Sequence, residues 1–340
     1  MNIAVDAMGG DHAPGVIVQG ALWAQPELGV DITLVGDQDL IRRELSRGGG
    51  IGNGIQIHHC SQMVAMDESP MKVLRKKKDA SIMVAFDLAK RGKAEAVVSA
   101  GNSGATIGAA VLTVGRIKGV ERPALAVIFP GAKGNVVLID VGANVDTKPR
   151  QLFEFGIMGD IFTHSLLNID NPRVGILNIG QEGGKGNEQV RIAHDLFKKG
   201  PFNFIGNVEG RDIFSGDVQV IVSDGFVGNV AVKLTEGMAE TMGIMFEREM
   251  SKGLISRFGF WLIRRAFEKF KSNIDYAECG GALLLGVKGV GVICHGISSP
   301  KAIKNAIRTA RDFVIKGVQD RLEEGLAKFQ SKAFNETDAM

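Results

Sequence analysis

Short apolar runs recur along this chain, and each ends in a polar, glycine-bearing loop that leads into residues at helical spacing. Ile3 to Val5 opens onto Asp6 to Pro14, Ala94 to Ser99 onto Ala100 to Gly104, and Val136 to Ile139 onto Asp140 to Asn144. Val174 to Leu177 opens onto Asn178 to Asn187, and Val218 to Val222 onto Ser223 to Asn229. Ile32 to Val35, closed by Gly36 and Asp37, adds a simpler unit. Strands alternating with helical segments predict an α/β fold: a three-layer αβα Rossmann-like sandwich whose mostly parallel sheet is covered on both faces. Ligands of such sheets sit outside the carboxyl ends of the strands, so the five rich loops are expected along one common edge.

The format changes after Thr235. Residues 235–275 read as a helical hairpin projecting from the sheet body, an insertion in a single α/β catalytic domain over residues 1–330. An apolar run through Leu285 and another from Val290 to Cys294 follow, then a closing helix from Pro300 to Lys328. The polar residues 331–340 read as a frayed tail. Gly48 to Gly54 interrupts a helix–strand connection, and with no helix after it, it reads as a surface loop rather than a nucleotide loop.

Composition narrows the function classes. Apolar residues make up 45% of the chain and charged residues 23%, which supplies a sizeable core and argues against global disorder. A formal charge of only +2 argues against a general nucleic-acid binder, so any basic partner surface must be local. Cys60, Cys279 and Cys294 are odd in number and widely spaced, which gives no disulfide framework and points to a reducing, cytoplasmic setting. Met1 to Asp6 lacks the charged start and apolar core of a signal peptide and reads as the first strand. No apolar run reaches the roughly 18 residues that a membrane span needs.

The glycine loops are where chemistry is expected. A glycine-rich turn that opens a helix leaves free N–H groups at the positive end of the helix dipole, which suits an anion. Gly101, Asn102, Ser103 and Gly104 form such a turn, with either a ligand-binding or a purely structural role. Lys185 stands among glycines at a helix start, where it can neutralise an anion or be a solvent-exposed turn lysine. His12, two residues before Pro14, can orient a ligand or cap its turn. There is no strand-linked G-x-G-x-x-G, no Walker loop, no HExxH and no CxxC, so no cofactor or metal is expected. His58, His59 and Cys60 are neighbours on a strand and point to alternate faces, which disfavours a metal there. No Ser or Cys sits in a G-x-S-x-G elbow, so the sequence offers no nucleophile for a covalent intermediate of that kind.

Taken together, these loops closely resemble the bacterial acyl-carrier-protein:phosphate acyltransferase family (PlsX). The resemblance rests on Asp6 to Pro14, Ala100 to Gly104, Arg122 to Leu125, Asp140 to Asp146, Lys185 to Glu188, Phe204 to Asn207, Asp224 to Val230 and Gly280 to Ala282, in that order, and it runs to about Arg321. Gln181 to Gly184 is more glycine-rich than the family pattern, and Cys294 to Ser298 departs from it after the His295–Gly296 pair. The resemblance implies transfer of a fatty acyl group from acyl carrier protein (ACP) to inorganic phosphate, in phospholipid synthesis. It implies a fold similar to that of isocitrate and isopropylmalate dehydrogenases and of phosphotransacetylase. It also implies a homodimer located in the cytoplasm and peripherally on the inner face of the plasma membrane. Mapped onto this chain, it suggests His12, Asn102, Lys185 and Asn229 as catalytic groups. Gly9, Gly10, Asp11, Gly101, Ser103, Gly104, Asn144, Gly186, Asn187, Asp224 and Gly225 become the expected substrate-binding residues.

Two surfaces suggest partners. Arg75, Lys76, Lys77 and Lys78 form a basic run suited to an acidic carrier protein, or to an ordinary solvated helix face. Leu254, Ile255, Phe258, Trp261, Leu262, Ala266 and Phe270 share one side of a helix. Between Ser251 and Lys271 there are six basic residues against one acidic, which suits an anionic membrane surface, with a dimer or core contact as the alternative. Rival activities are a phosphotransacetylase-like reaction on acyl-CoA and a decarboxylating-dehydrogenase-like oxidoreduction. The second would need an acidic metal cluster that the Asp-bearing loops do not assemble.

Overall fold

The structure is a computed structural model that describes residues 1–50, 52–274 and 280–337, without the side chains of residues 254, 255, 266, 268–274 and 330–337. Cys279, the side chains of Leu254, Ile255, Ala266, Glu268, Phe270 and Lys271, and the end of the expected tail therefore lie outside the described residues.

The first half is built from β1 (Asn2–Asp6), α1 (Gly15–Leu28), β2 (Asp31–Gly36), α2 (Gln38–Arg47), β3 (Ile55–His59), α3 (Pro70–Lys76), α4 (Ser81–Lys90), β4 (Ala96–Ser99) and α5 (Ser103–Thr113). A hairpin of β5 (Ala124–Gly131) and β6 (Gly134–Ile139) leads to α6 (Pro149–Leu167), β7 (Arg173–Leu177), α7 (Glu188–Phe197), β8 (Asn203–Val208), a 3-10 turn and β9 (Val220–Val222). Then come α8 (Gly225–Met250), α9 (Leu254–Ile274), β10 (Ala282–Leu285), β11 (Val290–Ile293), α10 (Pro300–Ile315) and α11 (Val318–Thr337). Local chemistry sets many of the boundaries. Asp37, Asn102, Asn187, Asp224 and Ser299 cap α2, α5, α7, α8 and α10 by accepting a backbone N–H, and Gly29 ends α1 in the left-handed region at φ 64°.

All eleven strands join one sheet, in the order β3-β2-β1-β4-β11-β10-β5-β6-β9-β7-β8. Apolar side chains alternate between its faces. Ile3 and Val5 of β1 join Val18 of α1, Phe155 and Phe162 of α6 and Ile307 of α10 in one core. Ala4 joins Phe86 of α4, Ala109 of α5 and Val232 of α8 in the other.

The strand directions correct the sequence reading. The sheet is mixed rather than mostly parallel, because β10 is antiparallel to both β11 and β5, and β5 is antiparallel to β6. The cause is loop length. Only Ala132 and Lys133 separate β5 from β6, too few residues for the crossover of a dozen or more that a parallel return requires. The expected isocitrate/isopropylmalate dehydrogenase-like sandwich with its parallel sheet is therefore not the observed arrangement. The carboxyl ends of β1, β4 and β11 lie along one edge of the sheet, and those of β6, β9 and β7 along the opposite edge. The loops expected on a common rim are thus divided between two.

Beyond the sheet, α8 and α9 pack on each other through Phe246, Phe260 and Phe267, with ring centroids 4.4–6.0 Å apart. No helix among the described residues is long and apolar enough to cross a membrane.

Candidate active site

At the first rim, three loops converge through close backbone approaches. A Cβ on Gly9 would stand 2.7 Å from the Gly101 nitrogen and 2.6 Å from an Asp6 oxygen. Gly10, at φ 111°, lies against the carbonyls of Ala100 and Gly296, and the Asp11 N–H donates to the Gly296 carbonyl at 2.8 Å. Asp6 organises the turn from below: it accepts from the Ser99 hydroxyl at 2.7 Å and from the Met8 N–H at 3.2 Å. Burial pushes its carboxyl above the usual range, opposed by hydrogen bonds from Ser81, Ser99, Met8 and Gly9. His12 is exposed; its carbonyl accepts the Val16 N–H at 3.3 Å, and its imidazole has no hydrogen-bond partner among the described residues. It precedes α1, which starts without a side-chain cap; with the Val16 N–H taken, the Gly15 and Ile17 N–H groups of the first turn face an anion site.

Asn102, suggested above as a catalytic group, has its side chain fully engaged by the protein. Its side-chain oxygen accepts the Ala105 N–H at 3.0 Å, and its amide nitrogen donates to the carbonyls of Met66 at 2.9 Å and Glu68 at 3.1 Å. Every donor of this side chain is spent on tying the segment before α3 to the start of α5. Ser103 and Gly104 follow in the first turn of α5, where the missing Cβ of Gly104 admits the Pro70 ring.

At the second rim, Asp140 is the organiser. Its carboxylate accepts from the N–H groups of Leu125, Gly142, Ala143 and Asn144 and from the Asn144 amide, at 2.7–3.2 Å. Burial pushes this carboxyl up as well, opposed by those donors. Asn144 also donates to the Pro123 carbonyl at 2.8 Å. The Gly225 N–H donates to the Asn144 carbonyl, and a Cβ on Gly228 would overlap the Asp140 carbonyl oxygen, so α8 starts flat against this loop. Asp224 caps α8 and Asn187 caps α7. Asn229 is half-buried beside Gly142, its amide without a hydrogen-bond partner among the described residues. Lys185 is exposed, in a loop held by the Asn178 amide on the Lys185 carbonyl and the Asn207 amide on the Glu182 carbonyl; Gly186 follows at φ 93°.

The expected residues therefore fall into two sets. Gly9, Gly10, Asp11, His12, Gly101, Asn102, Ser103 and Gly104 gather at the first rim. Asn144, Lys185, Gly186, Asn187, Asp224, Gly225 and Asn229 gather at the second. Gly101–Gly104, after β4, and Lys185, after β7, thus follow strands whose carboxyl ends lie at opposite edges of the sheet.

Sequence reasoning missed the contact that links the rims. The helix α8 leaves the second rim and reaches the first at Glu236, whose carboxylate lies 3.3 Å from the His295 imidazole. His295 precedes Gly296, the residue that holds Gly10 and Asp11. Its motif was visible as the His–Gly pair, but a lone glutamate inside a helix carries no local signature.

The basic run is only partly available. Lys77 donates to Glu68 at 2.6 Å and to the Met63 carbonyl at 2.8 Å, and Lys78 donates to the Leu74 carbonyl, while Arg75 and Lys76 are exposed. On α9, Phe258, Trp261 and Leu262 are exposed. Cys60 and Cys294 are buried, and burial pushes both thiols up to about 12.

The overall architecture matches a phosphotransacetylase from Streptococcus pyogenes with a TM-score of 0.60 at 16% identity, over 92% of this chain and 94% of that one. It matches a branched-chain phosphotransacylase from Enterococcus faecalis V583 with a TM-score of 0.55 at 14% identity, over 92% and 99%. The fold is thus phosphotransacetylase-like, one of the likenesses expected from the sequence, and not the isocitrate/isopropylmalate dehydrogenase-like sandwich. At the level of sequence, the profile of the fatty acid synthesis protein family covers residues 1–321, and the chain belongs to that family. It is 52% identical to a phosphate acyltransferase of Geobacter sp. strain M21, over 96% of this chain and 93% of the relative. It is also 52% identical to a phosphate acyltransferase of Geobacter sulfurreducens, over 95% and 94%.

Proposed function

We infer that this protein is an acyl-ACP:phosphate acyltransferase of phospholipid synthesis, and that the first rim is its reaction centre. Relatives at 52% identity over nearly the whole chain carry the activity. The local observation that supports the centre is a helix start without a side-chain cap beside an exposed imidazole, where three glycine-packed loops meet. A phosphate oxygen attacks the thioester carbon, the C–O bond forms, and the C–S bond breaks to release the carrier thiolate, which takes up a proton. A thiolate is a fair leaving group, with a free thiol pKa of about 8.5, so the reaction calls for positioning and oxyanion stabilisation more than for a strong base. The Gly15 and Ile17 N–H groups at the start of α1 hold the phosphate beside the Gly9–Gly10 turn, and His12 orients it or protonates the departing sulfur. The inert thiols of Cys60 and Cys294 favour direct attack over an acyl-enzyme.

Asn229 and Lys185, with Asn144, Asn187, Asp224 and Gly225, remain as a second polar rim whose part in substrate binding is open to the same kinetic test. The test is phosphate-dependent release of free ACP from a long-chain acyl-ACP, with acyl phosphate as co-product. His12→Ala should lower kcat/KM by about a hundredfold, the lower end for loss of a proton-transferring group. Release that ignored phosphate would overturn the activity, and a His12→Ala enzyme of normal turnover would overturn the centre. The same assay with a short acyl-CoA as donor separates this activity from a phosphotransacetylase-like one.

The same reading places the enzyme in the cytoplasm, as a homodimer on the inner face of the plasma membrane. Exposed Phe258, Trp261 and Leu262 on a basic helix support contact with anionic lipid. Co-sedimentation with anionic vesicles that Trp261→Glu left unchanged would remove that contact. The exposed stripe of Val230, Leu234, Met238 and Met242 along α8 supports a second copy, and a monomeric mass by light scattering would remove it.

A further inference from the structure

The segment between β3 and α4 lies directly over the first rim. Its Met66 side chain rests where a Cβ on Gly296 would be, 2.6 Å away, and Asn102 holds its Met66 and Glu68 carbonyls. The α3 helix is seated on α5 through two glycines, Gly104 under Pro70 and Gly108 under Leu74. Val73 and Leu74 are buried in that seat, which turns Lys72, Arg75 and Lys76 to solvent. From Pro70 to Lys78 the chain has five cations and no carboxylate. Two methionines flank them, Met63 53% and Met71 60% exposed.

We propose that this surface is where the acidic acyl carrier protein docks, with Lys72, Arg75 and Lys76 as its cations and Met63 and Met71 as its apolar contacts. The proposal rests on the acyltransferase reading and adds the partner's seat to it. Charge complementarity selects the partner: a dense cationic patch steers and registers an acidic protein. Exposed methionines supply adaptable contacts for a carrier whose acyl chains vary. Position supplies the reason for this place over any other basic stretch. A carrier on α3 stands beside the first turn of α5, so its thioester arm enters the first rim directly. Lys77 has a different role from its neighbours, since its ammonium closes the loop from beneath through Glu68 and the Met63 carbonyl.

The experiment compares two triple charge reversals. One is Lys72→Glu, Arg75→Glu and Lys76→Glu. The other is a distant exposed control, Lys90→Glu, Lys199→Glu and Lys288→Glu. Each is assayed with long-chain acyl-ACP and with the same acyl chain on a short pantetheine thioester that has no protein to dock. The α3 set should raise KM for acyl-ACP about tenfold or more while leaving kcat and the pantetheine donor near wild type. Added salt should raise the wild-type KM for acyl-ACP alone. An equal rise in the control set, or an unchanged KM in the α3 set, overturns the docking surface. A rise for both donors would place these cations in the reaction centre and likewise overturn it. A wild-type enzyme with no phosphate-dependent turnover of either donor overturns the acyltransferase reading instead.

Discussion

Replacing Asn102 distinguishes a structural tie from a catalytic donor. Asn102→Ala removes the cap of α5, worth about 1 kcal/mol. It also removes two amide donors to the Met66 and Glu68 carbonyls, each worth about 1 kcal/mol before discounting for the exposure of the first. The loss should come to about 2–3 kcal/mol. For a chain of 340 residues an unfolding entropy of about 0.7 kcal/mol/K converts this to a drop in Tm of about 3–4 °C, provided unfolding is cooperative. Asn102→Asp keeps the acceptor but faces two carbonyls with a carboxylate, so it should recover the cap and not the loop. Thermal unfolding measures the first effect and steady-state kinetics the second. An oxyanion donor behaves otherwise: its removal lowers kcat by about 10²–10³ with stability intact. An Asn102→Ala protein of wild-type Tm and hundredfold lower kcat would refute the reasoning.

Three further outcomes follow from geometry and charge. Burial lifts the Asp160 carboxyl from 3.8 to about 6, so the folded state holds this proton more tightly than the unfolded chain does. Its contribution is therefore greatest below about pH 4 and declines as the pH rises towards about 6; Asp160→Asn should flatten the Tm between those values, and an unchanged profile would count against it. Gly228→Ala forces a methyl group onto the Asp140 carbonyl and should cost roughly 1–3 kcal/mol, seen as a lower Tm; a wild-type melt would show that α8 can lift off the loop. The double variant Cys60→Ser, Cys294→Ser should keep phosphate-dependent turnover, and its abolition in a folded protein would restore an acyl-enzyme route through one of these thiols.

The units of this fold were legible because each is local. A β-branched run, an Asx or glycine turn and a helical pattern recur in Ile3 to Pro14 and again in Val218 to Asn229, and the caps Asn102, Asn187 and Asp224 sit at their expected helix starts. Strand direction was not legible in the same way. It depends on the length of the link, and the two residues between Gly131 and Gly134 are a hairpin signal that the repeating format concealed. For the same reason the candidate residues were recognisable one loop at a time while their grouping was not. Asp6 and Asp140 organise the two loops through their buried carboxylates. Asn102 and Asn144 have the side chains of donors, yet their amides are already bonded, a fact settled only by distant carbonyls at Met66, Glu68 and Pro123.

The tight reversal at Ala132 and Lys133 sets the molecule's two rows of polar turns back to back, with a layer of hydrogen-bonded strands as insulation between them. His12 and Lys185 then share no hydrogen-bond partner among the described residues, so a cycle pairing His12→Ala with Lys185→Ala should give additive effects on activity. Coupling between them would mean that the far row belongs to somebody else's doorway, meeting the near row of a neighbouring copy.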